Sequence, residues 1–187
     1  SCPAGSGADT IDLTVDVTLT SALPTITSQI ILNGNGHTIA RDAAAAQFRI
    51  LYVYSSGNPG ANLTLNQVTI TGGFEPQLVI NDFAGAGGIH VLDATLTVND
   101  STITGNGHAT TSARGSGISA LGSTMSINSS TISNNLAVDP AGGSALGGGI
   151  ETYDATVTIA NSTISGNSVA DANWSSGGGI WMGNSSG

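Results

Sequence analysis

The stretch from Thr156 to Asn167 reads TVTIANSTISGN, and versions of it recur along the chain at intervals of about 30 residues. The other copies are TLTVNDSTITGN (Thr95 to Asn106), TMSINSSTISNN (Thr124 to Asn135), NLTLNQVTITGG (Asn62 to Gly73) and the more divergent QIILNGNGHTIA (Gln29 to Ala40). Apolar residues alternate with polar ones in each copy, which is the period-two pattern of a half-buried strand. A repeat of fixed period indicates an array in which each unit stacks on the next.

A second marker divides the units, because a glycine-rich step leads into an isoleucine at Ile89, Ile118, Ile150 and Ile180. Each unit is therefore predicted to carry three short strands separated by turns, without a helical pattern between them. The expected fold is all-β: a right-handed parallel β-helix of about five rungs, its hand following from the preference of parallel crossovers. Residues 1–27 are off-period and are expected to form a cap or first rung, whereas residues 28–187 form the repeats, with an incomplete last rung.

Stacking of the units predicts columns of equivalent residues. One inward column is expected to contain Ile39, Ile70, Ile103, Ile132 and Ile164, and outward threonine rows such as Thr64, Thr97, Ser126 and Thr158 lie beside the inward columns. His90 is expected to face outward from its strand. Asn106, Asn135 and Asn167 each follow the marker isoleucine by the same short spacing, so they are predicted to stack as a structural turn ladder.

Charge limits the possible functions. Charged residues make up 8% of the chain, and the only basic side chains besides histidine are Arg41, Arg49 and Arg114, against twelve acids and a net charge of −9. A nucleic-acid surface needs clustered lysine and arginine, so nucleic acid is excluded as a partner. No apolar run approaches the roughly 18 to 20 residues of a membrane span, so direct membrane insertion is not expected.

The composition favours an extracellular or cell-surface location, because threonine, asparagine, serine and glycine dominate and charges are few. The start at SCPAG, without an initiator methionine, is interpreted as that of a processed or excised product. The single cysteine, Cys2, cannot form an internal disulfide. It is expected to be an unpaired terminal thiol, to link to another chain, or to pair with a cysteine in a further part of a longer protein.

Segments of variable length lie between the asparagine turn and the next glycine step, and they are interpreted as loops that emerge along one edge of the coil. They carry the less repetitive residues, and binding residues often lie on such loops. The candidate ligand edge consists of Phe74, Phe83, His108, Arg114 and Trp174.

Two short motifs recur together: a GG-x-I step, as in Gly147 to Ile150 and Gly177 to Ile180, and an I-x-x-N step, as in Ile103 to Asn106. Over roughly residues 28–187 this pairing resembles the repeats of polymorphic outer-membrane proteins and related autotransporter-like passengers of bacterial surfaces. The resemblance implies a right-handed parallel β-helix, secretion, and adhesion or assembly at a surface.

Catalysis is not expected. The chain has no lysine, no HExxH metal motif and no GGxGxD calcium repeat, and no cofactor or metal is predicted. The leading hypothesis is a non-enzymatic surface module that serves as an adhesin stalk or a head-to-tail fibre subunit. Two alternatives stay open: a carbohydrate-binding or polysaccharide-degrading β-helix, and an ice-binding protein that uses its outward threonine rows.

Assembly is suggested by the last stretch, GGGIWMGNSSG, which stops where the repeat predicts another strand. An uncovered rung leaves backbone groups and core side chains unpaired. Cys2, Ile180 and Met182 are therefore the candidate assembly face, and further chain or another copy is the expected partner. Glycans or a host or cell surface are the other partners considered.

Overall fold

The structure is a computed structural model that describes residues 7–55, 60–75, 85–109 and 112–187. Within those ranges every regular element is a β-strand, all sheets are parallel, and the strands stack as a solenoid of about four turns. This confirms the all-β parallel fold predicted from the repeat. The right-handed winding stays a prediction that rests on the crossover preference. Cys2 and Phe83 lie outside the described residues.

The strands are short and follow one another along the whole described chain. In order they are β1 (Asp9–Asp12), β2 (Val17–Leu19), β3 (Gln29–Asn33), β4 (Thr38–Arg41), β5 (Leu51–Tyr54), β6 (Asn62–Asn66), β7 (Thr69–Thr71), β8 (Phe74–Glu75), β9 (Ile89–Leu92), β10 (Thr95–Asn99), β11 (Thr102–Thr104), β12 (Gly107–Ala109), β13 (Ser112–Arg114), β14 (Ile118–Leu121), β15 (Thr124–Asn128), β16 (Thr131–Ser133), β17 (Leu136–Val138), β18 (Ser144–Leu146), β19 (Ile150–Tyr153), β20 (Thr156–Ala160), β21 (Thr163–Ser165), β22 (Ser168–Ala170), β23 (Trp174–Ser176) and β24 (Ile180–Gly183).

Five parallel sheets run along the coil, each taking one strand from successive rungs. Sheet A has the order β1-β3-β6-β10-β15-β20, sheet B β2-β4-β7-β11-β16-β21, and sheet C β5-β9-β14-β19-β24. These three are the sheets that the repeat predicts. Sheet D (β8-β12-β17-β22) and sheet E (β13-β18-β23) come from the variable segments, which the sequence analysis interpreted as loops. That interpretation is wrong for the described parts of these segments, because rungs that are already aligned also pair their less regular connections.

The register stacks equivalent residues in columns. Sheet B joins Ile39, Ile70, Ile103, Ile132 and Ile164 in one row, as predicted. Sheet A likewise aligns Leu65, Val98, Ile127 and Ile159, and sheet C aligns Ile89, Ile118, Ile150 and Ile180. The interior members of these rows are fully buried and form one continuous apolar core, which we call the bore. Branched aliphatic side chains fill such a pleated interior well.

The turns use residues that tolerate left-handed backbone. Asp93 and Asp154 have φ of 52° and 50°, and Gly122 and Asn184 occupy the same point of other rungs with φ of 57° and 49°. Asp, Asn and Gly are the residues that adopt this conformation most readily. The two aspartates therefore have a conformational role in their turns.

The described part of the N-terminal segment continues the coil. Strands β1 and β2 pair with β3 and β4 and so extend sheets A and B by one rung. Further along, Ile26 forms a parallel bridge with Val53 of β5. Residues 22–28 thus cross the N-terminal end of the bore, and this placement shapes the cleft described below.

Candidate functional site

Sheet C is covered on both faces, which gives the molecule a second interior. One face contributes Ile89 and Val91 to the bore, whereas the other carries the row Tyr52, His90, Ser119, Glu151 and Trp181. His90, Ser119 and Glu151 are 1%, 0% and 0% exposed, because sheets D and E lie over this face. We call the space between sheet C and sheets D and E the lateral compartment. His90 thus points away from the bore, as expected, but its side chain is buried.

Small apolar residues close part of the lateral compartment. Ala113, Ala137 and Ala145 form a buried cluster separate from the bore, with Val169 and Ala172 packed against it. Alanine and valine allow sheets D and E to approach each other closely. The remaining volume is polar, so the bore is apolar while the lateral compartment is mixed.

Charge is concentrated in this compartment. Arg49 Nη2 lies 3.1 Å from Glu75 Oε2, and the two side chains are 14% and 13% exposed. Arg114 Nη1 lies 3.7 Å from Glu151 Oε1. These pairs use two of the three arginines and both glutamates of the chain. Burying a charge is costly unless it is paired, so the pairing is a condition for this interior to form.

The carboxyl group of Glu151 shows how the compartment affects ionisation. Burial raises the pKa of Glu151, and this effect outweighs the opposing influence of the Ser119 hydrogen bond and the Arg114 charge. The Ser119 hydroxyl donates to Glu151 Oε2 at 2.8 Å. A carboxyl group with a raised pKa can in principle donate or accept a proton, but this one has no exposed surface.

Both histidines of the compartment are held in the neutral form. Burial lowers the pKa of His108 to about 4, against a partial compensation by its hydrogen bond to the Arg114 backbone. Burial and, next, the charge of Arg49 lower the pKa of His90 well below 6.5. His108 Nδ1 lies 3.0 Å from the Arg114 backbone nitrogen and 3.1 Å from the Arg114 carbonyl oxygen, so it accepts from the N–H in one neutral tautomer and donates to the carbonyl in the other.

The lateral compartment opens at its N-terminal end in a cleft. Tyr52 is the first residue of the sheet C row, because it pairs in register with His90. Glu75 is the first residue of the equivalent row in sheet D, because it pairs in register with His108. Among the described residues, no strand precedes β5 in sheet C or β8 in sheet D, and the isolated bridge of Ile26 to Val53 is the contact on the N-terminal side of β5. The cleft has a volume of about 340 Å³ and is lined by Ala22, Leu23, Thr25, Gln47, Phe48, Arg49, Ile50, Tyr52 and Glu75. We call it the Arg49 cleft.

Aromatic and ionic contacts order the walls of the Arg49 cleft. The Tyr52 ring stacks on the His90 ring with centroids 5.2 Å apart. The Arg49 guanidinium lies over the Tyr52 ring, 5.2 Å from its centroid, and Arg49 Nε donates to the Ala86 carbonyl at 2.9 Å. A guanidinium, a carboxylate and an aromatic ring are thus fixed side by side at a solvent opening.

The predicted ligand edge does not form a single exposed surface among the described residues. His108 is 0% exposed on β12, Arg114 reaches inward to Glu151, and Phe74 packs half-buried on β8 beside Gly107. Trp174, on β23, is 79% exposed. Only His108 and Arg114 come together, through the Arg114 backbone.

The sequence analysis missed Arg49, Tyr52, Glu75 and Glu151 as members of a site. A polar residue at an outward strand position looks solvent-exposed unless a second sheet is known to cover it. The available signal was compositional: in a chain with so few charges, both glutamates and two arginines fall in or beside the non-repeating segments and sheet C.

Side-chain ladders connect the rungs. Asn135 Nδ2 donates to Asn167 Oδ1 at 2.9 Å and to the Ile103 carbonyl at 3.0 Å, while Asn106 Nδ2 donates to Asn135 Oδ1 at 3.1 Å. The left-handed residue of this turn is the one before the ladder asparagine, with φ of 63°, 55° and 62° at Gly105, Asn134 and Gly166. The ladder residues therefore contribute hydrogen bonds, and the residues before them adopt the left-handed backbone conformation.

A second ladder lies at the ends of the sheet A strands. Asn66, Asn99 and Asn128 each donate to the asparagine of the preceding rung at 2.9 to 3.0 Å, beginning from Asn33. Asn33 in turn donates to Asp12 at 2.8 Å. Uncharged amides can repeat in this way without repulsion, which identical charges could not.

Comparison with protein-family models, with curated proteins and with solved structures gave no match for this chain. The fold therefore defines its class as a parallel β-solenoid, and the resemblance to bacterial surface passengers stays a hypothesis. The described part of the chain contains no helix that is long and apolar enough to span a membrane. Nor do its histidine, cysteine, aspartate and glutamate residues form a cluster of three or more that could hold a metal ion.

Proposed function

We propose that this chain is a non-enzymatic extracellular surface module, whose solenoid is the structural element of an adhesin stalk or fibre. The observation that carries the proposal is the continuity of the scaffold from rung to rung. The apolar rows, the backbone pairing and two asparagine ladders all run along the same axis. Such a scaffold holds its two ends a fixed distance apart, which is what a stalk or fibre requires.

The placement of the titratable groups supports a non-enzymatic role. Glu151, His90 and His108 have almost no exposed surface, and Glu75 is paired with Arg49. Asp93 and Asp154 serve their turns through left-handed backbone. A general acid or base must lie within reach of a substrate, and these buried groups do not meet that requirement.

Extracellular location is tested by labelling. Antibodies raised against the folded module should stain intact source cells, because the epitopes are expected to lie outside the membrane. Staining that appears only after permeabilisation would contradict the surface assignment. In parallel, pectin and alginate incubated with the protein, with and without Ca²⁺, should remain uncleaved. Product formation that Glu151→Gln abolishes would replace this proposal with an enzymatic one.

Ice binding is the second candidate, and one observation favours it. Sheet A aligns Thr64, Thr97, Ser126 and Thr158 in register, and sheet B aligns Thr69, Thr102, Thr131 and Thr163, so two uncharged hydroxyl rows repeat at the strand spacing of about 4.8 Å. A thermal-hysteresis assay is the test. Ice binding requires a freezing gap that Thr97→Tyr reduces, and its absence would leave only the role that such pairs play in stabilising a sheet.

A further inference from the structure

We propose that the Arg49 cleft is a binding site for a neutral saccharide unit. Its volume, about 340 Å³, falls in the range of roughly 300 to 1,000 Å³ that is usual for small-ligand sites. The site is a consequence of the solenoid geometry. Each inward row of the lateral compartment must begin somewhere, and at Tyr52 and Glu75 the first side chains of two rows lie at a solvent opening.

Charge decides the class of ligand. Arg49 and Glu75 are the charged residues in the described lining of the cleft. They lie 3.1 Å apart and neutralise each other, so this lining presents no net charge to a ligand. An anion would have to compete with Glu75 for Arg49, and a cation with Arg49 for Glu75. A neutral molecule with several hydroxyl groups meets both partners at once, donating to the carboxylate and accepting from the guanidinium.

The aromatic and polar residues of the cleft narrow the class of ligand further. Phe48 adds ring surface to the cleft and Tyr52 adds its phenol group, while Gln47 and Thr25 add groups that both donate and accept hydrogen bonds. A sugar ring combines C–H faces, which pack on aromatic rings, with equatorial hydroxyls that reach planar polar side chains. Tyr52 is already fixed by the His90 ring and Arg49, so little ordering is required on binding.

The first experiment measures binding directly. The purified chain is titrated with maltotriose, cellotriose and xylotriose as neutral probes and with trigalacturonate as the acidic probe, by ligand-observed NMR and calorimetry. At least one neutral probe should bind with a Kd of about 1 mM or tighter, and trigalacturonate should bind more weakly. Failure of all three neutral probes, or preference for the acid, would overturn the proposal.

The variants locate the site. Tyr52→Ala and Gln47→Ala should each weaken binding of the neutral probe by about tenfold or more, since each removes a group that lines the cleft. Leu136→Ala is the matched control, because it removes an apolar side chain that is 40% exposed on β17 and does not line the cleft, so it should leave binding unchanged. Gln47 is exposed, so its variant keeps the test valid if Tyr52→Ala impairs folding. Unchanged binding in Gln47→Ala and in folded Tyr52→Ala would overturn the assignment.

A change of specificity provides a readout that a merely structural role would not give. Glu75→Gln keeps the shape of the side chain but leaves the charge of Arg49 without this carboxylate. The variant should therefore gain affinity for trigalacturonate relative to the neutral probe. No gain would contradict the role assigned to charge neutrality. The site does not depend on the stalk or fibre role, so cell labelling can succeed or fail independently of these titrations.

Discussion

Ile132 shows at the scale of one residue how the coil is held together. Its side chain is 0% exposed between Ile103 and Ile164, whereas the neighbouring Thr131 is turned to the outer surface and is half-buried. Ile132→Asp should lower the free energy of unfolding by about 4 kcal/mol or more, because it buries an unpaired charge. Thr131→Asp should cost about 1 kcal/mol or less. Chemical denaturation of both variants checks this, and similar midpoints would contradict the assigned facing.

The two asparagine ladders differ in burial, and this difference can be measured. Asn135 is 0% exposed, and its replacement by alanine removes the side-chain acceptor of the Asn106 backbone N–H and the side-chain donor to the Ile103 carbonyl. Asn135→Ala should therefore cost about 2 to 4 kcal/mol of unfolding free energy. Asn128→Ala is the matched control in the half-buried outer ladder, where water can replace the amide, and it should cost about 1 kcal/mol or less. Equal losses would show that burial does not distinguish the ladders.

Residue roles could be predicted from sequence where the repeat itself carries them. Ile103, Ile132 and Ile164 share a spacing that fixes their row, and the structure shows that row. The burial of His90 could not be predicted, because a period of two separates the faces of a strand without showing what covers each face. Arg49 and Glu75 occur once each, so no repeat placed them together.

At the scale of single strands, the prediction from the sequence was incomplete. Strands β10, β11 and β14 come from repeated motifs and could be recognised by alternation. Strands β12, β17 and β22 have little sequence in common, and they pair because sheets A to C have already brought them into alignment. Tertiary context therefore sets their conformation, which local patterns cannot reveal.

The lateral compartment should make stability depend on pH. The folded pKa of His108 is about 4 and the unfolded value is about 6.5, so the unfolded chain binds more protons between these values. Stability from this residue is therefore complete above pH 6.5 and falls as pH decreases toward 4, by on the order of 3 kcal/mol. His90 acts in the same direction. The pKa of Glu151 is raised, so its contribution has the opposite sign and falls as pH rises above about 4.5.

Thermal or urea unfolding of the wild type and His108→Gln at a series of pH values separates these effects. His108→Gln should flatten the decline between pH 6.5 and 4, whatever its stability at pH 8. Combining it with Glu151→Gln removes the opposing contribution and isolates the remaining effect of His90. An unchanged slope in His108→Gln would show that this histidine does not titrate with a depressed pKa in the folded protein.

The whole molecule behaves as an array of equivalent rungs, and duplication of one rung tests this. Residues 118–149 span one period, because Ile118 and Ile150 are paired in register. A second copy of this segment inserted after residue 149 should fold, retain the strand signal in circular dichroism and unfold with a larger denaturant dependence, since more surface becomes exposed. A loss of cooperative unfolding would indicate that the rungs depend on contacts beyond their nearest neighbours.

The last described rung offers a surface on which more polypeptide can stack. Ile164 and Ile180 are half-buried there, while the same columns are fully buried in the interior rungs, and Met182 is 43% exposed. This face can stack on a following rung or on another copy. If copies associate, light scattering on the 187-residue chain should show concentration-dependent growth that Ile180→Lys abolishes and Thr131→Lys, on the outer surface, does not. A strictly monomeric wild type would restrict the contact to further chain.

The orientation of the backbone pairing has a mechanical consequence. Strands lie across the axis of the coil, so the hydrogen bonds between rungs point along it, from β1 at one end to β24 at the other. A load that pulls the two ends apart acts on one edge strand at a time instead of shearing a whole sheet. Each rung then peels away singly, releasing about 30 residues of slack before the next one yields. A tether built from such coils would lengthen stepwise under tension and dissipate a sudden pull, instead of breaking at a single threshold.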